Sequence, residues 1–309
     1  MSYADRQFLF NCKTILNHGY SDEKFDVRAH WEDGTPAHTL KILHSVDYYH
    51  LSKNIIPVLT IRKTNLKNAV DELLWIYQKK SNKISELNSH IWDSWDIGDG
   101  TIGLAYGYQI GLESKHHIYH KGEILDGIHY SIHQDIDGKD WVWMSQIDAV
   151  IWDLKNNPGS RSIILNTYNH QDLADMGLRP CAYMMTFNVT QNEDGKLVLN
   201  GLLNQRSQDM LTANNWNVVQ YSVLIQMLAQ VTGMIPGKFT HMIADMHLYD
   251  RHIPIVREAF IDNDELQTYD NPIFVMNDSV KNFYDFKVED FSLENYKYNP
   301  FNYKIEVAI

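Results

Sequence analysis

Residues 178–189 read LRPCAYMMTFNV: a proline, then one of only two cysteines in the chain, then an apolar run that opens a strand. Asp194 and Gly195 supply turn chemistry, and residues 197–210, LVLNGLLNQRSQDM, run back on the other side. The segment from Ala182 to Asp209 therefore reads as a β-hairpin with arms of about nine residues. Such a hairpin returns its second arm beside the start of its first. It predicts that Cys181 and Arg206 are neighbours, 25 positions apart in the chain. A guanidinium beside a thiol favours the thiolate, the nucleophilic form. The competing reading is packing, because free cysteine is among the most buried residue types.

Outward from the hairpin, helices and strands mix. Residues 4–18 place Phe8, Leu9, Cys12, Ile15 and Leu16 at helical spacing, which assigns Cys12 to packing. Residues 38–50 and 55–62 have the β-branched and aromatic content of strands. TNLKNAVDELLWIYQKK follows as a helix with one apolar stripe, and SQIDAVIWDLKNN is a second, stopped by Pro158 and Gly159. RSIILNTY reads as a strand, residues 216–232 as a buried helix, KFTHMIADMHLY as a strand and 250–261 as a helix. The expected fold is α+β, a single domain over 1–309 whose largely antiparallel or mixed sheet is flanked by helices.

Residues 111–142 lack a sustained period and read as a surface insert. They carry His116, His117, His120, His129 and His133 without a cysteine or a helical HExxH frame, so solvated histidines are expected and no metal site.

Composition narrows the classes. Apolar content of 44% and charged content of 21% are those of an ordinary globular protein. A formal net charge of -12 opposes a nucleic-acid coat but leaves room for a small anion on a local arginine cluster. Two cysteines make no disulfide framework, which fits a reducing compartment. No apolar run reaches the roughly 18 residues of a membrane span, and no signal peptide opens the chain, so a cytoplasmic location is expected.

Several blocks together resemble the thymidylate synthase family: DELLWIYQ, IWDSWDIGDGTIGLAYG, LKNNPGSR, RPC at a strand start, QRS-x-D, WN before a long helix, D-x-HLY and the terminal VAI. The resemblance runs in order from the first helix to the last residue. It implies reductive methylation of dUMP to dTMP, with 5,10-methylenetetrahydrofolate as one-carbon and hydride donor. Cys181 is then the nucleophile that forms a covalent adduct with the pyrimidine, Glu72 the proton-moving group and Tyr106 a tyrosine near the thiol. Arg28, Arg206 and Ser207 match the phosphate clamp, together with Arg161 reaching from a second subunit. The resemblance thus implies a homodimer joined through a sheet face. Asn217 matches the pyrimidine reader, His247 and Tyr249 the residues that hold the deoxyribose hydroxyl, and Trp92 and Asp209 the folate side. It implies no metal, no membrane and no nucleic-acid partner.

The chain departs from the family pattern at identifiable points. Ala182 follows the nucleophile where histidine is frequent, and Ser162 stands where a second arginine is common. TANNWN replaces a Gly- and Pro-containing loop, and Ile243-Ala244 replaces Gly-Gly. Three rival readings remain: a pyrimidine hydroxymethylase on the same fold, a silent nucleotide-binding homologue and a cysteine hydrolase. Asn217 opposes a cytosine substrate, since a carboxamide pairs with the uracil imide edge. No local signature of a hydrolase surrounds Cys181.

Overall fold

The computed structural model describes residues 1–309. Helix α1 (Tyr3–His18) starts on a Ser2 cap that accepts the Asp5 amide, and buries Phe8, Cys12 and Ile15 at successive turns. Strands β1 (Tyr20–Ser21) and β2 (Thr39–His50) follow, then α2 (Leu66–Tyr77), capped by Asn65. A short helix α3 (Gly107–Gly111) leads into β3 (Ser114–Ile118), β4 (Tyr130–Gln134) and β5 (Asp140–Met144). Then come α4 (Gln146–Asn156), β6 (Ile163–Asn166), β7 (Ala182–Gln191), β8 (Leu197–Gln205) and β9 (Gln208–Asp209). Helix α5 (Asn214–Thr232) is buried on nearly every side and ends on Gly233, whose φ of 72° is the left-handed cap that glycine accepts freely. Strand β10 (Ile235–Tyr249), α6 (His252–Val256), β11 (Ile273–Met276) and β12 (Phe291–Glu294) complete the order.

The main sheet has seven strands in the order β1-β2-β10-β8-β7-β6, with β9 also against β10. It is mixed: β2 runs antiparallel to β10, whereas β8 and β9 run parallel to it. Between β8 and β9 the chain leaves the ladder at Arg206 and Ser207 and rejoins it at Gln208, in register with Met246. Those two side chains are thereby released at the end of the hairpin. Helix α5 lies across β8 and β10, closely enough that a Cβ on Gly201 would sit 2.4 Å from Met185 Cε and 2.7 Å from Ile225 Cδ1.

The other sheet face is bare. Leu43, Val46, Tyr48, Ile164 and Met242 are exposed on β2, β6 and β10, with Leu43 at 59% and Tyr48 at 57% of their full exposure. So large an apolar surface on one sheet is uncommon unless something covers it.

Two expectations change. Residues 55–62 form no strand. Their backbone groups go to side chains: Asp5 accepts from the Thr60 and Ile61 amides, Asn215 accepts from Leu59, and Ser2 donates to the Val58 carbonyl. The segment 111–142 does have order, a three-stranded antiparallel sheet β3-β5-β4 that sends Val142 and Met144 into the core. His116 and His117 are partly buried rather than free in solvent. His117 stacks on Trp152 at 4.3 Å and lies 2.5 Å from Glu123 Oε1, with His116 packed edge-on beside it. His120, His129 and His133 stay exposed, His129 stacked on Tyr284.

Candidate active site

Cys181 sits half-buried in the last residue before β7, and the hairpin brings Arg206 Nη2 to 3.4 Å from its Sγ. The guanidinium is pinned by backbone: Nε donates to the Pro180 carbonyl at 3.0 Å and Nη2 to the Arg179 carbonyl at 2.7 Å. The Arg206 amide closes the hairpin on the Cys181 carbonyl at 2.9 Å. Burial pushes the thiol above its usual pKa, and the charges of Arg206 and Arg28 oppose that rise.

The Cys181 amide donates to the hydroxyl of Tyr106 at 3.0 Å. Tyr106 itself has a φ of 43°, rare for a residue with a side chain, and the strain is held by a buried ring packed edge-on against Trp92 at 5.2 Å. Burial raises its phenol well above the ordinary value, so it stays a neutral hydroxyl.

Glu72 is buried on α2 among three N–H donors: Trp92 at 2.6 Å on Oε1, and Trp216 and Gln220, each at 2.5 Å, on Oε2. Burial raises its pKa, and the three donors offset only part of the rise. Gln220 extends the contact to Asn217, whose Nδ2 donates to Gln220 Oε1 at 3.4 Å. On the other side Asn217 Oδ1 accepts from Gln205 Nε2 at 3.2 Å. Gln205 Oε1 in turn faces His241 Nε2 at 2.8 Å, which puts the proton of that buried ring on Nε2. Burial lowers His241 to about 3, so it is neutral at all ordinary pH. One edge of the Asn217 carboxamide remains for a ligand, offering both a donor and an acceptor.

A cleft of about 190 Å³ is lined by Arg28, Ser207, His247 and Tyr249 together with Lys41 and Asp245. Asp245 Oδ1 lies 2.8 Å from His247 Nδ1. Beyond His247, its β9 neighbour Asp209 accepts from the Leu211 and Thr212 amides at 2.9 and 3.2 Å. Burial works against its ionisation, but the facing His252, with Nδ1 at 3.7 Å, the His247 ring and Thr212 hold its carboxyl below the usual range.

Most of the residues singled out in the sequence are thus joined by direct contacts or share this cleft. Arg161 is the exception: it is exposed on the turn before β6 and does not line the cleft of its own chain. Sequence reasoning gave no role to Gln205, Trp216, Gln220, Lys41 and Asp245, although Gln205, Trp216 and Asp245 stand inside the motifs QRS-x-D, WN and D-x-HLY. The first three were within reach, because Gln205 adjoins Arg206 while Trp216 and Gln220 flank Asn217 on its own helix. Lys41 had no such signal.

A family model described as thymidylate synthase matches residues 6–309. The thymidylate synthase of Bacillus phage phi3T is 41% identical over 313 aligned positions, covering 100% of both chains. Thymidylate synthase 1 of Bacillus subtilis (strain 168) is 40% identical over the same extent. Among solved structures, thermostable thymidylate synthase A from Bacillus subtilis matches with a TM-score of 0.82 at 38% identity, again over 100% of each chain. With agreement over the full length in sequence and in fold, the chain belongs to the thymidylate synthase family of methyltransferases.

Proposed function

We propose that the chain converts dUMP to dTMP through a covalent adduct on Cys181. The observation that carries this reading is the thiol held 3.4 Å from a backbone-pinned guanidinium, with Tyr106 and Trp92 bridging it to the buried carboxyl of Glu72. Cys181 adds to carbon 6 of the pyrimidine, which turns carbon 5 into a nucleophile. Glu72 moves a proton at the pyrimidine carbonyl, a role that suits a buried carboxyl with a raised pKa. Asn217 reads the imide edge with its free donor and acceptor. Arg28, Arg206 and Ser207 clamp the phosphate, and His247 and Tyr249 hold the sugar hydroxyl.

Bound 5,10-methylenetetrahydrofolate supplies the one-carbon unit and the hydride. The residues that would hold it have free capacity: the Trp95 indole N–H beside Trp92 is buried without a partner, and Asp209 is an ionised acceptor. Trp92, buried against Tyr106, keeps water away from the reacting carbon.

The bare sheet face supports a homodimer. Two copies packed through Leu43, Val46, Tyr48, Ile164 and Met242 would bury that apolar surface, and Arg161 of each would serve the site of the other. No helix of the chain is long and apolar enough to cross a membrane. Two unpaired thiols agree with a cytoplasmic setting.

The test mixes protein, dUMP and methylenetetrahydrofolate, identifies the nucleotide product by mass and follows dihydrofolate by absorbance. Methylated nucleotide formed in step with dihydrofolate is expected. Hydroxymethylated nucleotide without dihydrofolate would assign the hydroxymethylase reading instead, and bound dUMP without product the silent one.

A further inference from the structure

Lys41 lies directly opposite His247 in the β2–β10 ladder, outside every motif that marks the site in the sequence. Its Nζ is 3.3 Å from Asp245 Oδ2 and 3.1 Å from Asp22 Oδ2. Asp245 therefore spends one oxygen on Lys41 and the other on His247 Nδ1. We propose that Lys41 is a positioning residue for the nucleotide sugar, acting through Asp245 to hold His247 as a hydrogen-bond acceptor; this rests on the functional reading above.

An ionised carboxylate can only accept, so the Asp245 contact puts the His247 proton on Nδ1. Nε2 is then a bare lone pair, and it has no hydrogen-bond partner within the chain. A sugar 3′-hydroxyl in the cleft can donate to it.

Two acidic groups face this ring, Asp245 on its own strand and Asp209 on β9. Lys41, opposite His247 on β2, takes the second Asp245 oxygen, while Asp22 on the far side holds the ammonium in place. Tyr249, edge-on to the ring at 5.1 Å, is neutral because burial raises its phenol, and Arg28 lines the far part of the same cleft. Lys41 thus fixes the carboxylate that orients the ring.

The experiment compares wild type, Lys41→Met and Lys41→Arg by calorimetric binding of dUMP and of 2′,3′-dideoxyuridine monophosphate, which lacks the hydroxyl in question. Nitrogen NMR of the His247 ring reports its tautomer in the same proteins. Lys41→Met is expected to weaken dUMP binding about tenfold, to leave the dideoxy ligand unaffected and to move His247 away from a single Nδ1–H form. Lys41→Arg is expected to restore all three. Equal weakening of both ligands would overturn the proposal, because it would reveal a general charge or folding effect. An unchanged His247 spectrum would overturn it as well. Should the wild type bind neither nucleotide, the functional reading fails, and the His247 spectra still decide whether Lys41 governs that ring.

Discussion

Trp92 donates its indole N–H to Glu72 Oε1 at 2.6 Å, so the ring that packs on Tyr106 is bonded to the group proposed to move protons. The folded state raises the Glu72 pKa above the usual value of 4.5 and so binds that proton more tightly than the unfolded chain does. The stability Glu72 contributes is therefore fully present below the unfolded pKa and is lost as pH rises through the folded one. Melting temperatures of wild type and Glu72→Gln should show a wild-type advantage that shrinks as pH rises above 4.5; an advantage that grows would contradict the direction. The same variant should lose about 10²- to 10⁴-fold in turnover.

The thiol of Cys181 is protonated in the free protein, since burial carries it above 9.0. Alkylation by iodoacetamide should be slow at pH 7 and still accelerating past pH 9. Arg206→Ala, which removes an opposing charge, should slow it further, and faster alkylation in that variant would mean the guanidinium shields the sulfur more than it activates it. Cys181→Ser should cost at least about 10³-fold in turnover while retaining dUMP.

Arg161 gives a test of the shared site. Cys181→Ser and Arg161→Ala should each be inactive alone. Refolded together, they form mixed dimers with one intact site, and about a quarter of wild-type activity should return. No recovery, with mixed dimers demonstrated by mass, would place Arg161 outside the neighbour's cleft. A charge on the exposed face, Tyr48→Asp, should shift the protein to monomer in sedimentation.

Gly201 is a packing constraint. Alanine there drives its methyl into Met185 and Ile225 between β8 and α5, at 2.4 and 2.7 Å. Overpacking of this kind costs about 1–3 kcal/mol, so the melting temperature should fall by roughly 2–4 °C per kcal/mol lost. An unchanged melting curve would show that the two side chains move aside freely.

The part of the site built on local geometry could be read from the sequence. A turn at Asp194-Gly195 and two arms of matched length bring Cys181 to Arg206 whatever the rest of the chain does. Residues 55–62 defeated the same reasoning because an extended β-branched run does not reveal what its amides bind. Here Asp5 and Asn215, distant in sequence, replace a neighbouring strand. Lys41 was invisible for a related reason. Its partner Asp245 is brought to it by a ladder between strands about 200 residues apart, a pairing no local period encodes. His116 and His117 looked solvated because the aromatic surface that receives them, Trp152, belongs to another element.

The backbone bond between the Arg206 amide and the Cys181 carbonyl is the rung that closes the hairpin at its open end. Ladder ends fray, and an opening there would move the Cys181 sulfur away from the Arg206 guanidinium. Opening of that rung is expected to loosen the contact at the sulfur, and deuterium uptake at that single amide would count the openings. A ligand that bridges Arg206 and Cys181 should slow that uptake before it changes the exchange of any helix.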